Sequence, residues 1–149
     1  MLIRVINPNT TASMTAAIGR AASRLSGPGV TVEAVTPGSG PASIESHYDE
    51  ALAVPGVLDE IIAGDAAGAD GYVIACFGDP GLLAARELAR GPVVGIAEAA
   101  MRTATYLGRS FSVVTTLAQT IGRAKDLALQ FGVADACAGY HAIDVAVLG

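Results

Sequence analysis

Short apolar runs alternate along this chain with stretches in which apolar residues recur at helical spacing. Leu2–Ile6 reads as a buried strand, and from Met14 the positions Met14, Ala17, Ile18, Ala21, Ala22 and Leu25 fall on one helical face. The two are joined through Asn7-Pro8-Asn9-Thr10-Thr11. Gly27-Pro28-Gly29 stops the helix, and Val30, Val32 and Ala34 alternate with Thr31 and Glu33 as a second strand before a glycine-rich loop over residues 36–41. Residues 46–68 predict a helix that Pro55-Gly56 should break or kink. Residues 72–75 form a compact apolar strand ending at Cys76, and Asp79-Pro80 reads as an N-cap and first helical residue opening a helix through Leu88.

Beyond Gly91-Pro92 the pattern predicts a strand over residues 93–96, a helix over 97–107, a strand over 111–115, a helix over 118–131 and a last strand over 142–148. Strands that are apolar on both faces and separated by helices imply an α/β fold, with a mainly parallel sheet, helices on both faces and right-handed crossovers. In such sheets ligands bind outside the carboxyl ends of the strands. The loops at those ends are where the chemistry is expected.

Composition narrows the function classes. The 149 residues fit one ordinary domain, and 52% apolar content is enough for a real core. A net charge of −5, with the nine Lys and Arg scattered singly, offers no basic stripe for nucleic acid. No apolar stretch is long enough to predict a membrane span, and no export signal opens the chain. Cys76 and Cys137 lie far apart and outside any metal-binding or CxxC spacing, so the expectation is a cytoplasmic protein with no metal.

Four loops carry candidate chemistry. Asn9 and Thr10 stand at a helix N-terminus, where free N–H groups favour an anion or a carbonyl oxygen, with simple capping by Thr10 or Thr11 as the competing reading. Cys76 stands at a strand's carboxyl end just before a helix, a position expected to lower its pKa and make a thiolate base; an inert buried cysteine is the alternative. Gly78 lets backbone approach a ligand, and Asp79 either caps the helix or touches substrate. Thr115 and Thr116 put two hydroxyls at another strand end, and Ser43 is expected to open a helix beside a lid or wall. Glu45 and His47 read as solvated, Cys137 as non-catalytic because it leads into a strand, and His141 as a structural or exposed residue at the start of the last strand. No dinucleotide fingerprint, Walker-type loop or Schiff-base lysine is present.

The stretches Ile6-Asn7-Pro8-Asn9-Thr10-Thr11, Cys76-Phe77-Gly78-Asp79-Pro80-Gly81, Gly95-Ile96-Ala97-Glu98-Ala99-Ala100 and Phe111-Ser112-Val113-Val114-Thr115-Thr116 resemble the aspartate/glutamate/hydantoin racemase superfamily, and most closely its hydantoin and allantoin racemase branch. The resemblance implies a pseudo-symmetric enzyme of two α/β lobes, with residues 1–97 as the first lobe and residues 98–149 as the beginning of the second. It implies racemisation without pyridoxal phosphate, metal or any other cofactor, by one cysteine from each lobe. Cys76 matches the first of that pair, and Asn9, Thr10, Ser43, Gly78, Asp79, Thr115 and Thr116 are the candidate substrate contacts.

Inversion needs two groups, since one base removes the α-proton and a second acid must deliver one to the opposite face. The family's second cysteine lies in a Gly-Cys-Ala-Gly-like loop after a later strand, and the sequence given stops before it. The expectation is therefore little racemisation by these 149 residues alone, and association into a homo-oligomer to cover exposed apolar faces. Isomerisation of maleate, decarboxylation of a disubstituted malonate and a non-catalytic flavodoxin-like module are the alternatives on the same scaffold.

Overall fold

The computed structural model describes residues 1–148. Six strands and five α-helices alternate in it: β1 (Leu2–Ile6), α1 (Ala12–Ser23), β2 (Thr31–Val35), α2 (His47–Ala67), β3 (Gly71–Ile74), α3 (Leu82–Leu88), β4 (Val93–Gly95), α4 (Ile96–Leu107), β5 (Phe111–Thr115), α5 (Ile121–Gln130) and β6 (Cys137–Ala142). Short 3₁₀ turns at Ala118–Thr120 and Ala134–Ala136 precede α5 and β6. β1 pairs in parallel with β2 on one side and β3 on the other, and β4 pairs in parallel with β3, giving the order β2-β1-β3-β4. β5 and β6 form a separate parallel pair. The α/β class with parallel strands is as the pattern predicts, but the sheet is divided in two. Of the expected second lobe, residue 149 lies outside the described residues.

A single apolar cluster joins the two sheets. Ile6 and Ile74 from the larger sheet, Val57 and Ile61 from α2, Met101 from α4, Val113 from β5 and Leu127 and Phe131 from α5 all belong to it. Each such side chain contributes roughly 1.5–3 kcal/mol on burial, so the β5–β6 unit is held by the same core as the rest. Pro55-Gly56 does not break α2. The proline lacks one N–H, but Ala53, Val57 and Ile61, spaced by four residues, are fully buried on the face that packs inward, and their burial outweighs the lost bond. Gly56 also lets the helix approach the 36–41 loop closely, since a Cβ there would lie 2.8 Å from the Ser39 carbonyl oxygen.

α2 starts four residues later than Ser43, at His47. Ser46 is its N-cap, accepting from the Asp49 N–H at 3.1 Å, while the Asp49 carboxylate accepts from the Ser46 hydroxyl and the Glu45 N–H. Those hydrogen bonds, the Ser46 hydroxyl first, hold the Asp49 carboxyl below its ordinary range. Ser43 donates to Glu45 and opens no helix. At the far end the last strand is β6 and not residues 142–148: parallel pairing with β5 places Cys137 at its first position and His141 near its end, where the imidazole is exposed. The periodic signal misplaced the strand because its true residues, Cys-Ala-Gly-Tyr-His-Ala, contain no β-branched side chain and owe their conformation to pairing. No helix is long and apolar enough to cross a membrane among the described residues.

Candidate active site

The carboxyl ends of β1, β3 and β5 open onto one cavity of about 460 Å³. Asn7 and Asn9 reach it from the loop after β1, Cys76, Phe77 and Gly78 from the loop after β3, and Thr115 and Thr116 from the end of β5. Glu50 from α2 and Arg123 from α5 close further parts of the wall, and Ile96, Val114, Ile143 and Val147 make it partly apolar. Of the residues singled out in the sequence, Asn9, Cys76, Gly78, Thr115 and Thr116 come together here. Thr10, Ser43 and Asp79 do not line the cavity.

The asparagine loop is organised by its own side chains. Asn7 is 1% exposed and donates to Asn9 Oδ1 at 2.8 Å and to Thr15 Oγ1 at 2.9 Å. Asn9 Oδ1 also accepts the Thr11 N–H at 2.9 Å, so an asparagine serves one of the first free amides of α1. Neither threonine hydroxyl caps the helix: Thr10 donates to the Pro41 carbonyl and Thr11 to the Ala42 carbonyl, pinning the 36–41 loop to the β1 end. The Asn9 amide nitrogen meets only the Met14 sulfur, a weak acceptor, among the described residues. It is the loop's available donor.

Asp79 caps a helix, but not its own. Its Oδ1 accepts the Ala97 N–H at 3.0 Å and its Oδ2 the Glu98 N–H at 2.8 Å, so it closes the N-terminus of α4, 18 and 19 residues further on. α3 begins instead behind Gly81, whose φ of 72° only glycine adopts freely. Burial pushes the Asp79 carboxyl up, and the two amides oppose that rise. With φ at 46°, Asp79 turns the chain sharply after Cys76 and fixes the thiol's loop against β4 and α4.

The expected lowering of the Cys76 pKa is overturned. Burial pushes the thiol up to about 11, the Glu50 and Asp79 carboxylates push the same way, and a hydrogen bond from Gly78 and the Arg123 charge only partly offset them. The helix that was to lower it starts at Leu82, beyond the Asp79 turn. Alkylation of Cys76 by iodoacetamide is accordingly expected to keep accelerating as pH rises towards about 11, whereas an ordinary thiol levels off above roughly 8.5. A plateau at or below that ordinary value would overturn the assignment.

Several wall residues escaped the sequence reading. Glu45 is no free carboxylate: its Oε1 accepts from Ser43 and from the Val147 N–H at 3.0 Å, and its carbonyl accepts from Gln119 at 2.9 Å. It ties the loop before α2 to the segment after β6. His47 lies exposed at the rim. Glu50 and Arg123 form an ion pair across the cavity wall, and nothing local in either segment marks them, since they are 73 residues apart. Cys137 is away from the cavity and donates to the Gly139 carbonyl, leaving Cys76 as the lining's one thiol among the described residues.

Residues 3–149 match the Asp/Glu/Hydantoin racemase family. The chain belongs to this family. The hydantoin racemase of Rhizobium meliloti is 49% identical over 148 residues, which are 99% of this chain and 61% of that protein. The hydantoin racemase of Paenarthrobacter aurescens is 38% identical over 149 residues, covering 63% of its length. Among solved structures, allantoin racemase from Klebsiella pneumoniae superposes with a TM-score of 0.98 at 56% identity, over 99% of this chain and 60% of that one. A glutamate racemase from Campylobacter jejuni shares the fold alone, with a TM-score of 0.61 at 14% identity. This member of the family spans about three fifths of the length of the racemases it matches.

Proposed function

We propose that this chain carries one half of the acid–base machinery of a cofactor-independent hydantoin or allantoin racemase, with Cys76 as the group that takes and returns the proton on the ring's stereogenic carbon. The observation that carries this reading is the placement of Cys76 as the cavity's single lining thiol, beside neutral hydrogen-bonding groups on Asn9, Thr115 and Thr116. A carbonyl next to the stereocentre accepts the electron pair when the proton leaves, and donors aimed at its oxygen stabilise the planar enolate. The Asn9 amide, held elsewhere only by the Met14 sulfur, and the Thr116 hydroxyl are the groups available for that oxygen. Thr120 gives its own hydrogen to the Leu117 carbonyl, so Thr115 donates to Thr120 at 2.7 Å and offers the cavity an acceptor.

A thiol held up to about 11 enters the cycle protonated at neutral pH. It serves directly as the acid that reprotonates the enolate, and its thiolate, scarce in the empty site, serves as the base. Inversion needs a second acid on the opposite ring face, for which we propose a cysteine in length that the matched racemases have and this chain does not span. The same reading takes the protein to work in a reducing cytoplasm and to self-associate through exposed apolar residues such as Tyr106 and Leu107.

The test is to incubate the purified 149-residue chain, checked by mass, with a chiral 5-substituted hydantoin in heavy water. The expected result is α-deuterium uptake above the uncatalysed rate, with optical rotation lost much more slowly than deuterium enters. Full racemisation at the rate of exchange would show a second acid within these residues. Absence of any exchange by the folded chain would remove Cys76 from its role.

A further inference from the structure

The cavity holds an ion pair that the proposed proton transfer leaves unused. Arg123 Nη2, on α5, donates to Glu50 Oε1 on α2 at 2.5 Å and to the Gly78 carbonyl oxygen at 2.8 Å. Both acceptors belong to the larger sheet and its helices, so one guanidinium bridges from the β5–β6 unit to the thiol's own loop. The two side chains are largely covered, at 26% and 14% exposure, and the Arg123 Nε is buried with no hydrogen-bond partner among the described residues. A covered ion pair with an unmet donor is a poor source of stability, because desolvation offsets the attraction and the idle N–H costs more. Its placement suggests another use.

Gly78 is the point at which thiol and carboxylate meet. A Cβ built on it would lie 3.8 Å from Cys76 Sγ and 3.8 Å from Glu50 Oε2. The charged groups that face the thiol are Glu50 from α2, Asp79 from its own loop and Arg123 from α5, while His47, in the first turn of α2, acts on Glu50. Glu50 and Asp79 disfavour the thiolate, and Arg123 favours it. Asp79 is committed to the α4 amides, so the adjustable part of the field is the Glu50–Arg123 pair.

We propose that Glu50 and Arg123 are positioning residues for Cys76: the guanidinium holds the Gly78 carbonyl, and with it the thiol's loop, while the pair sets the charge that the sulfur meets. This deepens the reading of Cys76 as the proton carrier and rests on it for its purpose. The experiment reads the thiol itself and not turnover, so the two ideas fail separately. Iodoacetamide labelling of the full chain is followed across the range in which thiols titrate, with peptide mass spectrometry separating Cys76 from Cys137.

Glu50→Gln keeps an acceptor for Arg123 but removes a negative charge facing the sulfur. It is expected to move the Cys76 profile to lower pH and to speed labelling at neutral pH by roughly threefold or more. Arg123→Gln removes the favourable charge and frees the Gly78 carbonyl, and is expected to move the profile to higher pH and slow labelling by a similar factor. Opposite displacements by the two variants support the proposal. Displacements in one direction, as general loosening of the loop would give, or an unmoved profile in either folded variant, overturn it. If Arg123→Gln does not fold, Glu50→Asp is the second variant, since it keeps the negative charge while shortening the reach to Arg123: a downward move in Glu50→Gln that Glu50→Asp does not share supports the proposal, and one that both share overturns it.

Discussion

Cys76→Ser is expected to lower α-deuterium uptake into a chiral hydantoin on the order of a hundredfold or more while leaving the fold intact. A serine hydroxyl occupies nearly the same space at the end of β3, and Cys76 lines the cavity and is not one of the side chains that form the apolar core, so the fold has no reason to change. What is lost is acidity. Even held up to about 11, the Cys76 thiol gives and takes a proton far more readily than an alcohol does. The comparison is made by nuclear magnetic resonance of the substrate in heavy water, with unchanged circular dichroism as the control. Exchange that survives in the serine variant would move the proton-carrying role to another cavity group, of which Glu50 and His47 are the titratable ones on the lining beside Glu45.

Gly95→Ala is expected to cost about 3 kcal/mol of stability, the largest effect of any single methyl group around the site. A Cβ on Gly95 would lie 2.2 Å from Asp79 Cγ and within 2.5 Å of both its carboxylate oxygens. Those oxygens cannot withdraw cheaply, because the Asp79 carboxylate is 3% exposed as a residue and its two partners are the otherwise unserved amides of α4. The added carbon therefore either overpacks the junction or expels the carboxylate and leaves those amides unmet. Urea unfolding measures the loss, and a double-mutant cycle identifies its source. With Asp79→Gly already in place, Gly95→Ala should cost much less than it does in the parent chain. Strictly additive penalties would show that the methyl group is resisted by something other than Asp79.

The Gly95–Asp79 contact also explains why the thiol's loop is shaped as it is. Asp79 reaches the start of α4 only because β4 ends in a residue without a side chain and because its own backbone accepts a positive φ. Cys76 is thus fixed from two directions, by a carboxylate clamped on α4 and by a carbonyl clamped on Arg123. Neither clamp is a property of the Cys-Phe-Gly-Asp-Pro motif alone.

The alternation of strands and helices was legible along the chain because period two and period 3.6 are local properties of apolar positions, and the parallel pairing followed from strands apolar on both faces. So was the candidate thiol, since a cysteine at a strand's carboxyl end stands where α/β folds gather their ligands. Tertiary structure alone decided the rest. It passed Asp79 from α3 to α4 and ran α2 through Pro55, because burial of Ala53, Val57 and Ile61 exceeds the cost of one missing hydrogen bond. It moved the last strand back to Cys137–Ala142, where pairing with β5 outweighs weak intrinsic preference. It brought Glu50 to Arg123 and reversed the direction of the Cys76 pKa. A helix end beside a thiol can be read from neighbours in sequence, whereas desolvation and the charges of α2 and α5 depend on what folding places around the sulfur.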